Sequence, residues 1–107
     1  MKGERLGEFE EVVLLCVRQL GAEAHGAAIQ GVLAESAGRE VTLGAIYAAL
    51  DRAHRKGLAE SWLGEPTPVP GGRAKRHYRL TAAGEQALEE SRRVREQLWS
   101  APARSRS

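Results

Sequence analysis

The chain has 107 residues, of which 42% are hydrophobic and 28% are charged, and its formal net charge is +2. This length fits one domain, and the composition is that of a soluble globular protein. The longest apolar run, residues 12–17, is far shorter than the ~20 residues of a membrane-spanning helix, and residues 1–11 lack a signal-peptide pattern. The single cysteine, Cys16, excludes an internal disulfide, so we expect a cytoplasmic protein without membrane contacts.

The positive charge is concentrated in the middle of the chain. Residues 39–79 carry eight basic and four acidic side chains, whereas residues 1–38 have a net charge of −3 and residues 80–107 of +1. Four of these cations, Arg73, Lys75, Arg76 and Arg79, lie in a stretch without any acid. Such a cluster favours binding to phosphate, with a solvated charged surface as the alternative.

Three helices are predicted in the first half. Apolar residues recur at helical spacing over about Glu8–Leu20, and this helix is apolar nearly all round, which predicts burial on more than one face. Residues 25–37 form a second helix that ends at Gly38. Thr42 is placed to cap a third helix that runs to about Lys56. The inward stripe of this third helix is predicted to be Leu43, Ile46, Leu50 and Ala53.

A β-hairpin and a last helix follow. Residues 58–63 read as a strand, residues 64–72 as a stiff proline-containing loop, and residues 74–80 as a basic return strand. Thr81 caps a last helix over about residues 82–99. The order α-α-α-β-β-α, mainly α with a β-hairpin wing, predicts a winged helix-turn-helix. Because a lone hairpin is marginally stable, we expect it to lean on the third helix.

The motifs on these elements resemble those of the PadR family of bacterial transcription regulators, over about residues 6–99. The resemblance rests on Gly-Ala-Ile-Tyr-Ala-Ala-Leu at 44–50, Lys-Gly-Leu at 56–58, and Gly-Gly-Arg at 71–73 followed by Arg-His-Tyr-Arg-Leu-Thr-Ala-Ala-Gly at 76–84. The single short C-terminal helix resembles that of the short-tailed subgroup. The resemblance implies a dimeric regulator, most often a repressor, that small effectors frequently release.

The residues expected to contact double-stranded DNA lie on the third helix and the wing. Small residues on that helix let its backbone approach the duplex, and alanine can touch a thymine methyl group, while the arginines can meet phosphate or guanine. The wing cations would contact phosphate or enter the minor groove, the alternative being a charged strand that shields a sheet edge. Tyr47 is assigned to DNA from the resemblance, with packing against the wing as its alternative. The predicted set is Thr42, Gly44, Tyr47, Ala48, Arg52, Arg55, Arg73, Lys75 and Arg76.

The last helix is predicted to form a two-fold homodimer, because it and the first helix carry more apolar surface than a three-helix head can bury. The resemblance implies a cavity at the dimer centre for a flat apolar or aromatic small-molecule effector. The predicted dimer or effector residues are Phe9, Val13, Leu88, Val94, Leu98 and Trp99. The expected division is residues 1–81 for DNA binding, residues 82–100 for dimerisation, and residues 101–107 as a disordered tail.

No catalytic, metal or cofactor site is predicted. The three histidines fall in different elements, no Cys/His or carboxylate pair has metal-ligand spacing, and nothing forms a nucleophile–base pair. Two functions remain open. One is a sequence-specific DNA-binding regulator, and the other is a winged-helix module for protein–protein contact without sequence-specific DNA binding. The cation cluster favours the first.

Overall fold

The computed structural model describes residues 6–66 and 74–104. Four α-helices and two strands agree with the predicted order α-α-α-β-β-α, to which the structure adds a 3₁₀ turn, Gly21–Glu23. The elements are α1 (Glu8–Leu20), α2 (Gly26–Ala37), α3 (Leu43–Arg55), β1 (Ala59–Leu63), β2 (Arg76–Leu80) and α4 (Ala82–Ser100).

Helices α2, α3 and α4 begin at side-chain caps, as the sequence predicts for α3 and α4. The hydroxyl oxygens of Thr42 and Thr81 accept backbone N–H groups three residues ahead, at 3.1 and 3.0 Å. His25 is the cap of α2 rather than its first residue, because its Nδ1 accepts the N–H of Ala28 at 3.3 Å. Each such cap satisfies one backbone donor that the helix itself leaves unpaired.

Helix α1 lies at the centre of the molecule, in contact with α2, α3, α4 and β2. Its burial on more than one face is confirmed, since side chains on two of its sides are enclosed. Each aliphatic side chain buried in this way contributes ~1.5–3 kcal/mol. The largest fully buried side chains of the core are Val13, Leu14, Val17, Ile29, Leu33, Ile46 and Leu50.

Three predicted positions need correction. Leu43 does not face inward but is 40% exposed, because the buried stripe of α3 is centred on Ile46 and Leu50 and Leu43 lies at its edge, in the first turn. Val13 and Leu88, which were expected to face a partner, are 0% and 6% exposed within one chain. Both side chains therefore stabilise the head itself and offer little or no surface to a second copy.

The hairpin is supported from outside. The antiparallel register runs from Ala59 opposite Leu80 to Leu63 opposite Arg76. The buried Tyr78 donates its backbone N–H to the carbonyl oxygen of Ala24 at 2.9 Å, so that the segment before α2 extends the sheet along β2. The hairpin leans on α3 through β1, as predicted, and also on α1 through β2.

The start of α4 is fixed against the turn that precedes β1. The Thr81 hydroxyl donates to the carbonyl oxygen of Gly57 at 2.7 Å, and the Thr81 N–H donates to that of Leu58 at 3.1 Å. At Gly84 an added Cβ would overlap the Leu58 carbonyl oxygen and stand 3.2 Å from Leu80 Cδ2. Only a glycine allows α4 to pack this closely.

Replacing Gly84 with alanine should therefore destabilise the fold by ~1–3 kcal/mol through overpacking. Gly31→Ala is the matched control, because an added Cβ on this other helical glycine meets no atom within 4 Å. That control should be neutral or gain up to ~1 kcal/mol from helix propensity. Urea unfolding measures both, and equal midpoints for the two variants would contradict the packing of α4.

Candidate nucleic-acid interface

Helix α3 turns one face to the core and the other to solvent. Ile46, Ala49, Leu50 and Ala53 are buried, and the opposite face is a continuous exposed surface. Because α3 is capped by Thr42 and packed against both α1 and α2, this surface is held rigidly. All six residues predicted on this helix or its cap are exposed, namely Thr42, Gly44, Tyr47, Ala48, Arg52 and Arg55.

Tyr47 packs against the start of α2. Gly26, the first residue of α2, lies directly beneath its ring, and a Cβ there would overlap the Tyr47 ring and hydroxyl. Tyr47 keeps 39% of its surface exposed beside the outward face of α3. The small residue at position 26 thus sets the orientation of an aromatic ring on the candidate interface, a role that the sequence reasoning missed.

The positive side chains near this surface differ in whether an acid neutralises them. Arg55 pairs with Asp51 on the same helix at 3.1 Å, and Arg79 pairs with Glu60 across the hairpin at 2.8 Å. Residues 73–79 contain no acidic residue, but Glu60 on the neighbouring strand neutralises Arg79. In the part of the chain that the structure describes, no carboxylate pairs with the other cations of this surface, which are Arg52, Lys75 and Arg76. Arg73 and the predicted Gly-Gly tip lie outside the described residues.

The base of the wing is an aromatic stack around His77. The rings of Trp62 and His77 are stacked at 5.5 Å, His25 meets His77 edge-on at 5.4 Å, and the Arg79 guanidinium lies 5.6 Å over Trp62. His77 Nδ1 is also 3.0 Å from the carbonyl oxygen of Ala22. This stack joins the hairpin to the cap of α2, so that the wing and the helix-turn-helix form one rigid surface.

Two buried carboxylates on α1 hold its neighbours. Glu10 is 4% exposed and accepts the Lys56 ammonium at 2.9 Å, directly after α3. Glu11 accepts a guanidinium N–H of Arg95 on α4 at 2.7 Å. Neither contact was predicted from the sequence. The available signal was their position on the apolar stripe, since Glu10 precedes Val13 by three residues on the buried face.

A groove of about 260 Å³ lies between α1 and α4. Leu15, Leu88 and Trp99 contribute its apolar lining, and charged side chains from both helices surround them. Trp99 is 88% exposed. Phe9 was expected to line this groove but does not. Its ring lies beneath the guanidinium of Arg39, whose central carbon is 5.4 Å from the ring centre. Leu15 takes the place that the sequence reasoning gave to Phe9.

A comparison with protein families matches residues 13–90 to the Transcriptional regulator PadR-like family. The chain belongs to the PadR-like family. The comparison with curated proteins gave no match.

Several solved structures share this fold. RosR of H. salinarum is 28% identical, and the match covers 95% of this chain and 84% of that chain with a TM-score of 0.70. A PadR-like transcription factor from Bacteroides fragilis is 27% identical, covering 84% of this chain and 82% of that chain with a TM-score of 0.69. Bacillus subtilis PadR, solved in complex with operator DNA, is 19% identical and has a TM-score of 0.65, with 94% of this chain and 51% of that chain covered.

Three further properties of the described residues concern metal binding, membrane insertion and the reactivity of the cysteine thiol. Within residues 6–66 and 74–104, no group of three or more His, Cys, Asp or Glu side chains is arranged to hold a metal ion. Among the helices described, none is both long and apolar enough to cross a bilayer. Burial raises the pKa of the Cys16 thiol, which keeps it in the protonated, unreactive form.

His25 makes the junction of wing and helix-turn-helix sensitive to acid. Burial lowers the pKa of His25, as do the neighbouring His77 and Lys75, against a smaller opposing effect of Glu23. The folded state therefore binds this proton less readily than the unfolded chain. The unprotonated His25 therefore contributes fully to the stability of the fold above the ordinary imidazole pKa of about 6.5. This contribution is lost as the pH falls below that value.

Replacing His25 with asparagine should reduce the loss of stability between about pH 7.5 and pH 5.5, because asparagine caps a helix without titrating. The control is Gln86→Asn at an exposed position on α4, which introduces an asparagine without removing a titratable group. Thermal unfolding across this pH range measures the effect. An unchanged pH dependence in His25→Asn would show that His25 does not contribute to it.

Proposed function

We propose that this chain is a sequence-specific, homodimeric DNA-binding regulator of transcription, in which α3 enters the major groove and the wing contacts the adjacent backbone. The observation that carries the proposal is the position of the unneutralised cations. Arg52 lies on the exposed face of α3, and Lys75 and Arg76 belong to the hairpin, whose strand β1 contacts α3. Operator DNA is the ligand of the family member from Bacillus subtilis with the same fold.

The two parts of this surface differ in chemistry, which assigns them different tasks. An α-helix fits the major groove, where base edges are distinguishable, and α3 is the second helix of the helix-turn-helix pair α2 and α3. The wing presents long cationic side chains, and Arg76 donates a hydrogen bond to the Ser61 hydroxyl oxygen at 3.0 Å. Such cations attract phosphate regardless of sequence. Arg73, Thr42 and Arg55 complete the proposed contacts.

A homodimer explains the apolar surface at the end of α4. Val94, Leu98 and Trp99 are 44%, 73% and 88% exposed, and Leu15 on α1 is 45% exposed across the groove. In two copies related by a two-fold axis, each α4 would cover the other copy's groove. The two α3 helices would then meet successive major grooves about 34 Å apart, on a nearly palindromic operator.

The same geometry supports repression that a small-molecule effector releases. The groove between α1 and α4 has an apolar lining that suits a flat apolar or aromatic molecule. Glu11 and Arg95 connect its two walls, while the adjacent Glu10 holds Lys56 at the end of α3. A molecule that moves α4 relative to α1 would therefore change the spacing of the two α3 helices.

Binding should have a strong electrostatic component from the wing. Lys75→Ala combined with Arg76→Ala should weaken binding to all duplexes alike and flatten the dependence of log affinity on log salt by ~0.9 for each phosphate that the wing no longer neutralises. The control is Arg93→Ala with Arg104→Ala, which removes the same charge from exposed positions outside this surface. Fluorescence anisotropy at several salt concentrations measures both, and equal slopes in the two double variants would exclude the wing from DNA contact.

Dimerisation should depend on the exposed end of α4. Leu98→Asp places a charge in the proposed interface and should yield a folded monomer that has lost specific DNA binding, whereas Gln86→Asp at an exposed position near the start of α4 should not. Light scattering should give twice the chain mass of 11.6 kDa for the wild type at micromolar concentration. A wild-type mass of one chain would contradict the dimer and the effector mechanism that depends on it.

A further inference from the structure

The part of α3 that would enter the groove first has almost no hydrogen-bonding side chains. Leu43, Gly44, Ala45, Tyr47 and Ala48 are all exposed, and Tyr47 is the only one among them with a polar side-chain atom. The preceding residue, Thr42, is the cap of α3, and its hydroxyl oxygen accepts the Ala45 N–H at 3.1 Å. The first two turns of α3 therefore present methyl groups, bare backbone and an aromatic ring.

The polar residues of the outward face begin at Asp51, and two of them are joined to each other. Asp51 and Arg55 form an ion pair at 3.1 Å, one turn apart on the helix. An arginine needs its planar fork free to hold a guanine through two hydrogen bonds. Arg55 would have to leave Asp51 to do this, and Arg52 is the one arginine of α3 without a carboxylate partner in the described chain.

An apolar protein surface can distinguish bases in the major groove by contacting an apolar group on a base edge. The C5-methyl of thymine is the apolar group that the base edges present there, and alanine is a side chain that contacts it. Gly44 and Ala48 stand one turn apart at the centre of the outward face, and their small size lets the helix approach the base edges closely.

The apolar surface is also held in place. The Tyr47 ring rests on Gly26, so that its exposed edge is fixed relative to Ala48. A fixed apolar surface loses little conformational entropy when it meets a methyl group. Arg52, the wing and the backbone contacts then supply affinity, while these side chains supply a preference among bases.

We propose that α3 recognises its half-site mainly through thymine methyl groups, contacted by Ala48 and the exposed edge of Tyr47. The proposal rests on the proposed function, since it requires α3 to lie in the major groove. It assigns the ligand class as duplex DNA with one or two thymines at fixed positions in each half-site. Hydrogen bonds from α3 to guanine are correspondingly secondary.

The test uses a duplex selected from a random pool by the full chain. Each thymine is replaced in turn by uracil, which removes the methyl group and leaves the hydrogen-bonding pattern intact. At the contacted positions affinity should fall about three- to tenfold per methyl group, the value expected for one buried CH₃. Cytosine at the same position should bind more weakly than 5-methylcytosine, because only the latter restores the methyl.

A variant of α3 tests whether this helix makes the contact with the thymine methyl group. In Ala48→Gly the penalty for uracil at one position should shrink, because the methyl group of the protein that met the thymine is gone. Ala83→Gly, at an exposed position on α4, is the control for the loss of helix propensity and should keep the full penalty. Urea unfolding of both variants verifies that each is folded.

The outcomes separate this inference from the proposed function. Full affinity for every uracil-substituted duplex, or selected half-sites without thymine, would overturn methyl recognition while salt-dependent binding through the wing still held. Failure to select any duplex would overturn both. A uracil penalty that Ala48→Gly leaves unchanged would show that another part of the protein contacts the methyl groups.

Discussion

Helix α1 is the element against which α2, α3, α4 and β2 all pack, and only one of its sides is exposed. Val13, Leu14 and Val17 form the centre of the core, and the buried Glu10 and Glu11 bind cations at the end of α3 and on α4. Removing one partner of a buried ion pair is costly, since it leaves a charge without compensation. The exposed side of α1 is the one that carries Leu15, at the groove.

The wing is held in place by contacts with the rest of the chain. A two-stranded hairpin has too few contacts to be stable alone, and here it is held through Tyr78, Ala24 and the stack around His77. Since His25 caps α2 within that stack, the wing and the helix-turn-helix share one support. The proposed contacts of the wing and of α3 can therefore act on one duplex with a fixed relative position.

Local features of the fold could be predicted from the sequence. The helical spacing of apolar residues predicted α1 at Glu8–Leu20, and Thr42 and Thr81 were recognised as caps. These features depend on residues within a few positions of one another. The partners of Glu10 and Glu11 could not be derived in this way, because Lys56 and Arg95 are distant from them in the chain.

The candidate site was predictable in location but not in detail. The exposed face of α3 follows from its periodicity, whereas the neutralisation of Arg79 by Glu60 depends on the register of the hairpin. The packing of the Tyr47 ring on Gly26 depends on how α2 crosses α3. Leu43 was assigned to the core from spacing alone, which does not reveal where a buried stripe ends. In each case tertiary contacts decide what the local pattern leaves open.

Helix α3 and the wing are proposed to form the DNA-contacting surface together. Titrating duplex DNA into the isotope-labelled chain and following its backbone amides by NMR tests this proposal most directly. We expect the largest shifts to fall on residues 42–55 and 74–79. Shifts concentrated on the groove between Leu15 and Trp99, with the amides of α3 unmoved, would contradict it.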